Sequence, residues 1–391
     1  MKILYLTSRF PHPLEKGDKL RAYYQMKALS KEHEIYLVSI IDQDPDKKDL
    51  EKLKEICTEV YCIHIKPMER YVSLARAVFS NLPFQIAYFY NHQAAKKIVQ
   101  IATAIQPDHI FCQLTRMSEY ARKLPYPRTL DYMDCFSVSM QRRSKVAAKW
   151  QAWLYKKEAL RMMDYEATIS DEFDHLTIIS EQDKDQFKFK NASNIQVIPN
   201  GISPSFFDYN NVIDKMYDIV FVGNMSYLPN IEAAEYIIHQ ILPQLNSDIK
   251  VLLAGAQPSP RIHNLAGPHV HVSGWMDDIR VAYASGKIFV APMWTGTGQQ
   301  NKILEAMAMG IPCITTHVVN NAILATENEE ILLAETDKEF ANAILKLLSD
   351  AQLYDKLSVK SRRFVRENYD WNKTGLLLAQ LFKNNYKSNA S

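Results

Sequence analysis

Residues 286–316, GKIFVAPMWTGTGQQNKILEAMAMGIPCITT, constrain the fold of this chain more than any other stretch, because they read in order as strand, glycine loop, helix and strand. Residues 287–292 form a short apolar run, the mark of a buried strand. Gly296 and Gly298 then let the backbone turn tightly, since glycine accepts positive φ. A helix that begins near Gln300 stops at Gly310, a natural C-terminal cap, with Pro312 just beyond. Strand, loop, helix and strand within so few residues make the crossover unit of a parallel sheet.

The same unit is suited to hold a phosphate. A glycine loop that feeds a helix N-terminus offers unpaired N–H groups and the positive end of the helix dipole. Lys302, in the first turn, is expected to add a mobile positive charge. Glu305 lies one turn on, on the face shared by Asn301 and Lys302, while Leu304, Met307, Ala308 and Ile311 mark the opposite, core-facing stripe. A diphosphate would sit at the helix tip and ribose hydroxyls on Glu305. An ordinary crossover with a surface Lys–Glu pair has the same periodicity; the glycine pair favours the ligand site.

The pattern P-x-x-x-G-x-G-x-x-x-K-x-x-E-A-M-A-x-G-x-P, met from Pro292 to Pro312, resembles the donor-site signature of glycosyltransferase family 4. Those are retaining, nucleotide-sugar-dependent enzymes with the two-domain GT-B fold. The wording QNKILEAMAMG is similar to sugar transferases of bacterial exopolysaccharide systems. The resemblance runs from Met1 to about Trp371. It implies that Gly296, Gly298, Asn301 and Glu305 bind the donor, that the Gly223-Asn224 corner lies against the diphosphate, and that backbone at Gly274-Trp275 reads the base, with Trp275 a candidate for stacking. Three positions depart from the family. Asn224 and Asn230 stand where many members carry an arginine and a lysine, and Thr297 replaces the first of two glutamates spaced eight apart, so Thr297 inherits the place near the reacting sugar but not the role of an acid. Charge neutralisation would then rest on Lys302, helix N-termini and arginines of the first half.

At 391 residues the prior is two domains. A hydrophobic content of 47% with 23% charged residues fits a soluble globular chain, and a net charge of +2 implies no global attraction to nucleic acid or membrane. The cysteines, at 57, 62, 112, 135 and 313, lack zinc spacing and are expected as reduced cytosolic thiols. No apolar run reaches the ~18 residues of a membrane span, and the first one is too short for a signal peptide. No Walker A, H-E-x-x-H or nucleophile-elbow pattern appears, so neither a catalytic metal nor a cofactor beyond the nucleotide sugar is expected.

Glycine is spread unevenly: Gly17 alone falls in the first 200 residues, while nine of the eleven lie at 201–310. The halves therefore use different loop chemistry. In the first, strands are expected at 3–7, 34–40, 60–65, 109–113, 129–133, 176–180 and 195–199, with helices at 21–31, 48–57, 92–105, 118–124, 140–165 and 181–189. In the second, strands fall at 218–222, 250–254, 269–273, 288–291, 313–316 and 331–333, with helices at 230–245, 278–285, 300–309, 337–349, 351–368 and 371–385. This alternation predicts two doubly wound parallel sheets, an α/β architecture, joined by a polar linker at 200–215. The resemblance adds roles: 1–205 an acceptor-binding domain, 206–370 a donor-binding domain, and 371–391 a helix that packs back on the first. Open parallel sheets bind ligands at the carboxyl ends of their strands, so the two would face one deep cleft.

That rule selects further residues. The loop after the first strand, Ser8 to Arg21, holds Gly17, which could let backbone approach a phosphate or sugar as one more donor contact. It also holds Arg9, Asp18 and Arg21, candidate acceptor contacts, with Lys19 as a weaker one. Many family members have a second glycine where Asp18 stands. Asp134 ends another strand and could take the acceptor's proton or hold a sugar hydroxyl; capping the following helix explains it about as well. Asp277 and Asp278 need no role beyond an N-cap. Residues 141–157, QRRSKVAAKWQAWLYKK, are basic and aromatic. They suit weak contact with an anionic membrane, or a solvated face whose tryptophans pack on the sheet.

The expected activity is transfer of a sugar from a nucleotide diphosphate to a hydroxyl of a glycan or lipid-linked acceptor, in the cytoplasm or on the inner membrane face, with no nucleic-acid partner. A sugar-nucleotide epimerase of the same fold and a non-catalytic nucleotide-sugar-binding subunit remain as alternatives.

Overall fold

The computed structural model describes residues 1–294 and 298–388. The chain divides into two compact units, Met1–Pro199 with the segment from Trp371 on, and Asn200–Asp370.

The first unit is built on a seven-stranded sheet. Its strands are β1 (Lys2–Thr7), β2 (Glu34–Ile41), β3 (Glu59–His64), β4 (His109–Gln113), β5 (Arg128–Asp131), β6 (His175–Ile178) and β7 (Gln196–Val197). They lie in the order β3-β2-β1-β4-β5-β6-β7, all parallel. The second unit has β8 (Tyr217–Val222), β9 (Val251–Ala254), β10 (Val270–Gly274), β11 (Gly286–Ala291), β12 (Cys313–Thr315) and β13 (Leu332–Leu333). Their order is β10-β9-β8-β11-β12-β13, again all parallel. A parallel sheet is covered on both faces, so its strands read as continuous rather than alternating apolar runs. Ile3-Leu4-Tyr5-Leu6 and Ile288-Phe289-Val290-Ala291 are accordingly inaccessible along their whole length.

Each sheet reverses direction of growth at its first strand. β1 lies between β2 and β4, and β8 between β9 and β11. The loops that leave the carboxyl ends of these central strands therefore flank a topological switch point, where such sheets hold ligands.

The helix Trp371–Ser388 belongs to the first unit. Leu378, Leu381 and Phe382 join Ile3, Tyr5 and Phe111 in one core, and Phe382 stacks on His109 at 4.3 Å between ring centroids. Gly375 makes the approach close: a Cβ there would stand 2.5 Å from that of Ala28.

Two stretches differ from the sequence reading. The helix expected over 140–165 is two helices, Phe136–Val146 and Lys149–Ser170, broken at Ala147 and Ala148, which are extended with ψ of 158° and 149°. Alanine favours helix, so local propensity argues for continuity; the break lets the two helices pack on each other, and packing prevails. Trp150 and Trp153 are 72% and 66% exposed and do not pack on the sheet. Helices Pro67–Ala77 and Phe84–Phe89, each introduced by a proline, were not expected between β3 and β4.

Arg21 is a correction. Its place in the first loop suggests an acceptor contact, but it lies within the helix Gly17–Leu29 and is fully buried. Its guanidinium grips Asp131 in bidentate fashion, Nε to Oδ2 at 2.7 Å and Nη2 to Oδ1 at 3.0 Å, and Thr177 Oγ1 adds a donor to Oδ1 at 2.9 Å. Removing one partner would leave an uncompensated buried charge. Arg21→Ala should cost about 3–5 kcal/mol in denaturant unfolding, whereas the double change Arg21→Leu with Asp131→Leu should recover most of it. A single variant as stable as the parent would refute the structural role.

Candidate functional site

The second unit's switch point is assembled around one asparagine. β8 ends at Val222 and turns through Gly223-Asn224. Gly255, just past β9 with φ of 137°, comes so close that a Cβ would sit 1.8 Å from the carbonyl oxygen of Gly223. A Cβ on Gly223 would in turn stand 2.7 Å from the Asn230 amide nitrogen. Asn230, on the helix Leu228–Tyr236, is buried and donates from Nδ2 to the Asn224 carbonyl at 2.8 Å. Its Oδ1 accepts from the Lys302 ammonium.

Lys302 is therefore not mobile, contrary to the sequence reading. Beside Asn230, its Nζ meets Met293 Sδ at 3.6 Å and stands 5.2 Å from the centroid of the Phe221 ring. All three partners are neutral. Burial pushes its pKa down to about 7, with the Glu305 carboxylate pulling it back up. Glu305 lies one turn on in the same helix, Asn301–Ala308, and its Oε2 accepts from the hydroxyl of fully buried Tyr283 at 2.9 Å. Burial raises the Glu305 pKa, while Tyr283 and Lys302 lower it.

The helix Asn301–Ala308 begins with no side-chain cap bond at Gln300 among the described residues, and such a helix start suits an anion. Gly298 has φ of 71°, a conformation suited to glycine. Gln299 fixes the loop by a paired exchange with the Asn200 backbone, both bonds at 3.0 Å, and also donates to Asn301 Oδ1 at 3.3 Å. The Gly296 and Thr297 assignments fall outside the described residues. Trp275 follows Gly274, whose φ is 69°, and is 64% exposed just past the edge strand β10, two strands from the Lys302 group. Asp278 is an N-cap, accepting from the Arg280 N–H at 3.0 Å.

In the first unit, Gly17 opens a helix rather than sitting in a loop. Its φ is not positive, and a Cβ would meet nothing within 4 Å. Asp18, in the first turn, pairs with Arg9 at 2.9 Å, and its carbonyl accepts from Gln113 Nε2 at 2.8 Å. Asp134 follows β5. Its Oδ2 accepts from Ser139 Oγ at 2.8 Å, while its Oδ1 is buried without a hydrogen-bond partner among the described residues. Burial raises its pKa against the pull of Ser139, Arg142 and Arg143. The sequence reading overlooked Arg116, just past β4, although the carboxyl-end rule that selected Arg9 selects it too. Its guanidinium lies 4.9 and 5.0 Å from the rings of Phe89 and Phe136 and donates to Gln85 at 3.1 Å. Burial lowers its pKa to about 10, and the neighbouring Arg9 charge adds to the effect.

The grouping of Lys302, Asn230, Glu305 and a helix N-terminus at the β8–β11 switch point suits an anionic ligand that also carries hydroxyls. Residues 217–350 match the family described as glycosyl transferases group 1. Over its length the chain is similar to an uncharacterized 44.6 kDa protein of the cps region of Klebsiella pneumoniae, at 22% identity over 98% of this chain and 100% of that one. Among solved structures it resembles sucrose-phosphate synthase of Thermosynechococcus elongatus, with a TM-score of 0.72 and 16% identity over 99% of this chain and 100% of that one. It also resembles Anabaena HepE solved in complex with UDP, with a TM-score of 0.71 and 15% identity over 98% and 100%. The protein thus has the GT-B fold of two Rossmann-like units, and the stretch that matches group 1 glycosyl transferases, residues 217–350, lies in the second.

Proposed function

We propose that this protein moves a sugar from a nucleotide diphosphate sugar to a hydroxyl of a glycan or lipid-linked acceptor, with retention at the anomeric carbon, in the making of a cell-surface polysaccharide or glycoconjugate. The observation that carries this reading is the Lys302 ammonium, held on neutral partners beside an uncapped helix start, with a carboxylate one turn deeper. The Klebsiella relative from a cps region supports the polysaccharide setting, and the UDP complex of HepE supports a uridine diphosphate sugar as the donor.

In this reading the second unit binds the donor. The diphosphate meets the helix N–H groups and Lys302, and Glu305 Oε1, which has no hydrogen bond among the described residues, accepts from ribose. Bond cleavage builds charge on the departing diphosphate, and a preorganised ammonium opposes that charge better in the transition state than in the ground state. The first unit binds the acceptor. Asp134, with one buried oxygen unpartnered among the described residues and a raised pKa, receives the acceptor's proton. Thr297 is assigned to the reacting sugar by its place in the motif alone. A thermal-shift series with nucleotide diphosphate sugars tests the donor class: at least one should raise the midpoint, and adding acceptor should release the nucleotide. No shift with any of them, or isomerisation of the sugar without an acceptor, would overturn the proposal.

The basic helices add a weak membrane contact. Arg142, Arg143, Lys145 and Lys149 are exposed beside Trp150 and Trp153, and among the described residues no helix is long and apolar enough to cross a membrane. Changing the four cations to glutamine should abolish cosedimentation with anionic vesicles, each contributing up to about 1 kcal/mol near the surface. Equal binding to neutral and anionic vesicles would show that the patch is only solvated.

Lys302→Ala should lower kcat on the order of 100-fold at saturating donor, about 3 kcal/mol of transition-state stabilisation. Near-normal turnover would remove Lys302 from the mechanism.

Donor affinity should also depend on pH. The phosphates of a nucleotide sugar are already ionised, so the titrating partner is Lys302, whose free-state pKa is about 7. Binding favours its charged form and raises that pKa. Affinity is therefore fully present below pH 7 and falls above it, by up to about tenfold per unit, until the pH passes the bound-state pKa. Asn230→Asp, which gives Lys302 a carboxylate, should move the onset to higher pH. Calorimetry showing a flat affinity from pH 6 to 9 would refute this.

A further inference from the structure

A second cationic centre lies in the first unit, at the carboxyl ends of β1 and β2, one strand from the β1–β4 switch point. It is a cavity of about 290 Å³, into which Arg9, Lys16, Lys19 and Arg70 bring positive charge and Asp42 the only carboxylate among the described lining residues. That volume is near the lower bound for ligand pockets, so it takes one sugar ring or a small headgroup rather than an oligosaccharide.

Arg70 is the built element. It is 4% exposed, on the helix Pro67–Ala77. One terminal nitrogen is bonded to Asp42, and the guanidinium lies 5.0 and 5.3 Å from the rings of Tyr88 and Phe89. Its Nε is buried with no partner among the described residues. A buried guanidinium with an unmet donor asks for another acceptor. Asp42 itself is 60% exposed, so solvent weakens its hold on the cavity's field. Lys19 donates to the His12 carbonyl at 3.2 Å and keeps its charge, Arg9 shares its own with Asp18, and the Lys16 ammonium has no bond among the described residues. The balance inside is positive, and the aromatic wall of Tyr88 and Phe89 offers an apolar face to a ring.

We infer that this cavity binds an anionic group, a carboxylate or a phosphate, carried by a small sugar or headgroup. That the anion belongs to the acceptor rests on the transferase reading above; the anion site itself does not. The acceptor would then be an acidic glycan end, either a uronic acid or a phosphorylated unit.

Calorimetry on the full-length protein with methyl glucuronide, glycerol 1-phosphate and the neutral methyl glucoside tests this. At least one anionic probe should bind ten times more tightly than the glucoside, and the tighter of the two identifies the source of the charge. The surface double variant Lys16→Gln with Lys19→Gln should weaken that probe about tenfold without unfolding the protein, and Arg70→Gln, where it folds, should weaken it further. Lys302→Ala should leave it unchanged. Equal binding of charged and neutral probes would overturn the inference. So would loss of anion binding in Lys302→Ala with retention in the Lys16–Lys19 variant, since the anion would then sit in the second unit. UDP titrated in parallel separates the two readings. UDP binding without anion binding sinks this site alone, and anion binding with no response to any nucleotide sinks the donor assignment alone.

Discussion

A lysine ammonium held against an amide oxygen, a thioether and an aromatic ring is the contact on which the second unit's chemistry turns. Taking an ammonium out of water is costly, and most buried cations are compensated by a carboxylate. Lys302 instead leans on Asn230, Met293 and Phe221, so its charge is only partly stabilised and its pKa falls to about 7. The arrangement depends on the corner around it. Asn230 can reach Lys302 only because Gly223 leaves room for its amide, and Gly223 can turn there only because Gly255 has no side chain to strike its carbonyl. Arg21 shows the opposite solution in the first unit. Its bidentate pair with Asp131, reinforced by Thr177, leaves no charge for a ligand, and it serves as scaffold.

The uneven spread of glycine follows from the same geometry. The second unit brings strand ends and loops into backbone contact at its switch point, and Gly255, Gly298 and Gly310 all take positive φ. The first unit makes its sharp exits without glycine. Leu114 and Met133 have φ of 67° and 60°, and they stand just past β4 and β5, next to Arg116 and Asp134. Positive φ is strained for such side chains and persists where the surrounding structure enforces it. Both are buried in the core under these loops, which supplies that enforcement.

This contrast explains what could be read from the sequence. The alternation of strands and helices, and the helix bearing Lys302 and Glu305, are local patterns, visible as apolar runs and caps. Which cation is compensated is not local. Arg21 and Asp131 are 110 residues apart, and nothing near Arg21 distinguishes it from Arg9. Arg70 lies in a helix that opens at Pro67 and whose apolar side chains Met68, Tyr71 and Val72 keep helical spacing but are exposed, so the stripe does not show that the arginine between them is the buried side chain. The break at Ala147-Ala148 escaped for a related reason, since the two residues with the best helical propensity are the ones that leave the helix.

Lys302, Arg116 and Arg70 share one device. Each is set against aromatic rings, Phe221 for the first, Phe89 and Phe136 for the second, Tyr88 and Phe89 for the third, so the single ring of Phe89 serves two guanidiniums. A ring face holds a cation through its quadrupole without cancelling its net charge. A carboxylate would hold it more firmly but would also extinguish its field. For a protein of net charge +2, with little long-range attraction to offer an anion, local positive potential must come from cations kept in place but not neutralised. Aromatic and amide partners meet both demands for Lys302 and Arg116; Arg70 adds to its two rings a carboxylate, Asp42, that is 60% exposed to solvent, while Arg21, paired with a fully buried carboxylate, lies in the core.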